Sequence, residues 1–188
     1  MLSCRLALAV PIASHSTADS TNVGFWGQSF TVTGGGAFNN IIFNFFFDTG
    51  LTTPQAQGTA YLFAAPFTGI PVDLSGASGI LGQTAASGGF YFFNPALTLT
   101  SGVQYFLYTN TSFLAALQST DGYPDGDLYL PPWSAFGASS QDAAFLVQGS
   151  AVPAGVPEFN AQIGGPLLVT LCLLGLVASR RIIHPSRQ

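Results

Sequence analysis

From Gln28 to Gln148, Gly, Pro, Asn or a Ser-Gly pair interrupts every apolar stretch before it reaches the length of an ordinary helix. Short apolar runs punctuated by turn residues are the pattern of an all-β chain, in which each run is one strand of a sandwich or barrel. Gln28–Thr33 alternates polar and apolar residues and stops at Gly34-Gly35-Gly36. Ile41–Phe47 is a continuous apolar run broken by Asn44, as expected of a strand buried on both faces or crossing the centre of a sandwich. Thr59–Ala64, Phe90–Phe93 and Ala143–Gln148 read as further strands, and Gly69–Gly82 as a loop. Leu97-Thr98-Leu99, a Ser101-Gly102 turn and Val103–Tyr108 read as a hairpin, with Val103, Tyr105 and Leu107 on one face because strand side chains alternate. Phe113–Gln118 reads as a single helical turn capped by Ser112. The expected fold is an antiparallel, jelly-roll-like β-sandwich over residues 19–149.

Composition limits what such a domain can do. Between Asp19 and Glu158 there is no Lys, Arg, His, Cys or Met, whereas every phenylalanine except Phe159 and all six tyrosines lie in this stretch. A body without cations cannot neutralise phosphates, which excludes nucleic acid as a partner. It also lacks the histidine, cysteine and lysine needed for Ser-His-Asp, Cys-His or Schiff-base catalysis, and the nitrogen and sulfur ligands of zinc and copper sites. Cys4 and Cys172 fall outside it, so no disulfide framework is available. A carboxylate pair is the one catalytic route left, and a glycosidase using Asp125 or Asp127 is the enzymatic alternative. No catalytic residue is assigned.

Asp121-Gly122-Tyr123-Pro124-Asp125-Gly126-Asp127 brings together the three closest acids of the chain. The plain reading is a solvated turn, since Asp and Gly accept left-handed backbone and cap local N–H groups. The sharper reading is a calcium site with Asp121, Asp125 and Asp127 as oxygen ligands, although the spacing is not that of an EF-hand loop. No other cofactor is expected. Trp133, which follows Pro131-Pro132, and Tyr123 are candidates for stacking on sugar rings; the plain alternative is that both pack into the sandwich.

The two ends of the chain specify an address. Residues 1–18 have the order of an export signal: Arg5, an apolar stretch from Leu6 to Ala13, and Ser16-Thr17-Ala18 as a small-residue cut site. Residues 150–162 form a Pro/Gly-containing linker, and 163–179 an apolar run that makes a short transmembrane helix, about 24 Å over its sixteen-residue centre at ~1.5 Å per residue. The basic tail, 180–188, holds Arg180, Arg181 and Arg187, while all eight acids, Asp19 to Glu158, precede the apolar run. Basic flanks stay cytoplasmic, which places the body outside.

Val156-Pro157-Glu158, a short apolar helix and a terminal arginine cluster resemble the PEP-CTERM sorting signal of Gram-negative bacteria, with Phe159 where that family usually has a second proline. The resemblance implies export, transient retention by the helix and cutting near the motif by an exosortase. A plain single-pass anchor, never cut, would show the same charge bias. The body resembles, more loosely, the β-sandwich ectodomains that precede such signals, through Gly27–Thr31, Leu97–Tyr105 and Asp142–Phe145. Together these imply a non-enzymatic component of the cell surface or extracellular matrix, with the membrane, the processing enzyme and exopolysaccharide as partners. A carbohydrate-binding surface module, calcium-assisted or not, is the alternative.

Overall fold

A computed structural model of the chain describes residues 8–120, 122–135 and 141–153. The described residues form strands and one 3-10 turn, and every strand pairing among them is antiparallel. The first five strands are β1 (Val10–His15), β2 (Ser20–Gly24), β3 (Gly27–Thr31), β4 (Ala37–Phe45) and β5 (Thr59–Phe63). After the 3-10 turn Pro71–Gly76 come β6 (Ile80–Ser87), β7 (Phe90–Phe92), β8 (Leu99–Thr100), β9 (Gln104–Thr109) and β10 (Phe113–Gln118). The last four are β11 (Leu128–Leu130), β12 (Ser134–Ala135), β13 (Asp142–Ala143) and β14 (Phe145–Ala151).

The main sheet has the order β1-β14-β4-β7-β6-β5-β9-β3-β11-β12, with β8 on β4. It folds over on itself at β6, whose first part pairs with β5 and whose last two residues pair with β7. The two halves pack face to face as a β-sandwich. Phe30 of β3 lies 5.7 Å from Phe43 and 6.4 Å from Phe145, ring centre to ring centre, across the interior. Phe43 and Phe145, on neighbouring strands, stack almost parallel at 5.6 Å. Tyr105 and Leu107 of β9 point into this core, while Phe106 and Tyr108 point the other way. The alternation read from the sequence thus holds within β9, but Val103 lies before the strand and is exposed. Because both faces of β9 are apolar, its outer face needs a second cover. Trp133, Leu74 of the 3-10 turn, and Phe67 supply it.

A smaller sheet, β13-β10-β2, packs on one end. Its Phe113 carbonyl accepts a 2.8 Å bond from the Trp26 indole Nε1–H. The expected helical turn at Phe113–Gln118 is this central strand, β10. Leucine and alanine favour helix only weakly, and pairing on both edges overrides that preference.

Two further expectations change. The expected hairpin at Leu97–Tyr108 is not a hairpin: β8 pairs with β4, and β9 with β3 and β5. The tight turn at Ser101-Gly102, where Gly102 has a φ of 78°, carries the chain from one half of the sandwich to the other. The expected loop Gly69–Gly82 contains the 3-10 turn and the start of β6.

Among the described residues the first strand precedes the expected boundary at Asp19. Val10–His15, expected as part of a removable leader, is an edge strand on β14, with Ile12 1% exposed and His15 also buried. Thr33 clamps it from the side, its N–H and its hydroxyl both donating to the Ile12 carbonyl at 2.7 and 2.8 Å. At the other end β14 runs to Ala151, slightly past the expected boundary at Gly149, and the compact unit closes at Val152. Among the described residues no helix is long and apolar enough to cross a membrane. The segment 163–179, the motif Val156-Pro157-Glu158 and Arg180, Arg181 and Arg187 lie outside the described residues.

Candidate functional site

The acidic turn is anchored by a residue that the sequence did not single out. Asp142, on β13, is 1% exposed, and its carboxylate accepts the backbone N–H groups of Gly122 at 3.0 Å and Tyr123 at 2.8 Å. The Gln28 amide donates to its other oxygen at 3.4 Å, and Gln28 Oε1 accepts the Ala143 N–H at 3.2 Å. A buried carboxylate is tolerated only with such partners. The rest of the turn is tied to β3. The Thr31 hydroxyl donates to the Asp125 carbonyl at 2.9 Å, and the Asp127 N–H donates to Ser29 Oγ at 2.7 Å. Gly126 passes so close to β3 that a Cβ on it would lie 2.0 Å from the Ser29 carbonyl oxygen, so only glycine fits there.

This network predicts a clear mutational contrast. Asp142→Ala leaves two N–H groups and the Gln28 amide without their acceptor, and should cost about 3 kcal/mol in urea unfolding. Asp142→Asn keeps the shape and one acceptor oxygen, and should cost about 1 kcal/mol. Equal losses for the two variants would contradict an anchoring role for the carboxylate.

The structure corrects the glycan-stacking candidates. Trp133 is 1% exposed, and its ring lies 5.0 Å from that of Tyr108. Its two preceding prolines do run along the surface, but the indole turns inward to cover the apolar outer face of β9. Tyr123 is 7% exposed and meets Phe145 edge-on at 5.1 Å. Burial pushes its phenol up to about 12. Neither ring offers a face to a sugar. Of the calcium candidates, Asp125 is exposed, Asp127 is half-buried, and Asp121 lies outside the described residues. Among the described residues no three His, Cys, Asp or Glu side chains gather as a metal-binding group.

Folding does bring together two acids that are distant in sequence. Asp19 and Asp48 both line a cleft of about 450 Å³ with Ala18, Phe47 and Ala116. The hydroxyl of Ser119 holds Asp19 below the usual carboxylate range. The backbone N–H of Thr52, donating at 3.0 Å, and the side chain of Thr53 hold Asp48 down to about 2. A glycosidase needs one carboxyl group raised so that it can donate a proton near neutral pH, and both of these shift the other way.

Two adjoining clefts, of about 640 and 520 Å³, lie at the start of β6 and share Ala64 and Leu81 as a common wall. The β5–β6 register passes from Leu62↔Gly82 to Phe63↔Ile80, which leaves Leu81 as the extra residue of a β-bulge. Bulges re-aim side chains, and this one turns Leu81 outward, 44% exposed, between the two clefts. Gly82 beside it lets Phe93 and Leu97 close in, since a Cβ there would meet them at 3.2 and 3.3 Å. No signal in the sequence marked this groove, because it is lined by residues from four separate segments.

Comparison of the chain with protein-family models, with curated proteins and with solved structures finds no match.

Proposed function

We propose that the protein is an exported, non-enzymatic component of the cell surface or extracellular matrix: a jelly-roll-like sandwich delivered and retained by a C-terminal transmembrane segment. The observation that carries this reading is the order of the chain. A compact body closing at Val152 is followed by Val156-Pro157-Glu158, the apolar run 163–179, and then Arg180, Arg181 and Arg187. The acids and aromatics considered for catalysis or stacking support the same reading. Asp142 anchors a loop, hydrogen bonds hold Asp19 and Asp48 below the usual carboxylate range, and Trp133 and Tyr123 are packed inside.

The test is the C-terminal mass of the protein recovered from the cells that make it. Cutting by an exosortase-type enzyme predicts a chain ending close to Glu158. An intact Gln188 confined to the membrane fraction would instead establish a permanent anchor and remove the sorting-signal reading.

A further inference from the structure

We propose that the paired clefts on either side of Leu81 form a binding groove for an uncharged oligosaccharide. This deepens the surface-module reading at a place different from Trp133 and Tyr123. The volumes, about 640 and 520 Å³, lie within the 300–1,000 Å³ range usual for ligand sites. Because the clefts share a wall, a chain of linked rings can occupy both.

The lining selects the chemistry. No charged residue faces either cleft, so an ionic ligand would be desolvated there without a counter-charge. The groove does hold neutral hydrogen-bonding groups. The Gln83 and Thr98 side chains make no hydrogen bond with the described residues, and the Asn94 side chain engages only its Oδ1, which accepts the Ala96 N–H at 2.9 Å. The second cleft adds Thr68 and Ser78, which are likewise open. Between these groups stand apolar surfaces. Leu81 projects from its bulge, and Phe67, at the second cleft, is fixed by parallel stacking on Phe63 at 5.5 Å. Amide and hydroxyl groups beside the apolar Leu81 and Phe67 match a sugar, which offers hydroxyls at its rim and C–H groups on its faces.

The test is affinity electrophoresis of the full chain in a non-glycosidic detergent. The gels contain dextran, laminarin, galactomannan or, as the anionic control, alginate. The expected result is retardation on at least one neutral polymer, insensitive to salt, and none on alginate. Gln83→Ala and Leu81→Ser, both at exposed positions, should each weaken the apparent affinity about tenfold while the melting curve is unchanged. Three outcomes would overturn the proposal: no retardation on any neutral polymer, equal or stronger retardation on alginate, or retardation that both variants leave intact. The assay is independent of tail processing, so its failure would leave the sorting reading untouched.

Discussion

A chain lacking residues 1–18 is expected to lose at least about 3 kcal/mol of stability in urea unfolding, and to aggregate where the full chain does not. Ile12 alone, fully buried against the core, accounts for about 2–3 kcal/mol of transferred apolar surface. Ala13 and His15 leave with it, and the Thr33 N–H and hydroxyl lose the carbonyl they share. Withdrawing β1 also turns β14 into an edge strand with a row of unpaired backbone groups, a template for joining other chains. Against the ~5–15 kcal/mol that hold a typical domain, such a loss is large. Ile12→Ala in the full chain should reproduce most of it. N-terminal sequencing of the protein from its cells supplies the second readout. A mature chain starting at Asp19 with undiminished stability would show that the body folds without β1, and the boundary would return to Ala18.

Phe43→Ala is the point substitution expected to do most damage, about 4 kcal/mol, with the urea m-value unchanged. Phe43 is fully buried and touches rings from both halves of the sandwich and from its own strand. Phe145 lies parallel at 5.6 Å, Phe45 edge-on at 5.0 Å and Phe30 at 5.7 Å. Truncation removes the transferred surface and leaves a cavity that three rigid rings cannot collapse to fill. Phe43→Leu fills most of the volume and should cost roughly 1.5 kcal/mol or less. If Phe43→Ala cost no more than Phe43→Leu, the aromatic cluster would not be the centre of the core.

Most strands with a strong apolar pattern were legible in the sequence. Ile41–Phe47 reads as a central strand because nearly every residue is apolar, and β4 holds that place with β14 on one side and β7 and β8 on the other. β6 was not legible. Ile-Leu-Gly-Gln-Thr-Ala-Ala-Ser has little hydrophobic signal, and the strand exists because β5 and β7 supply partners on its two sides. The same holds for β10, whose leucines and alanines suggest helix until pairing with β2 and β13 fixes them extended. Register between strands many residues apart cannot be seen in a local pattern.

Composition and alternation alone pointed to strands in the body, and determined that Asp19 to Glu158 carries no Lys, Arg, His, Cys or Met and that a basic tail follows an apolar run. Tertiary structure decided which elements are neighbours and therefore which side chains are available. Leu97–Thr100 and Gln104–Thr109 look like partners because a turn joins them, yet the first pairs with β4 and the second with β3 and β5. Trp133 and Tyr123 look exposed because they sit among prolines, glycines and acids, yet the outer face of β9 and the edge of Phe145 bury them. Local sequence states what a residue can do with its own neighbours. The free energy of burial depends on surfaces brought in from distant parts of the chain, and those exist only once it has folded.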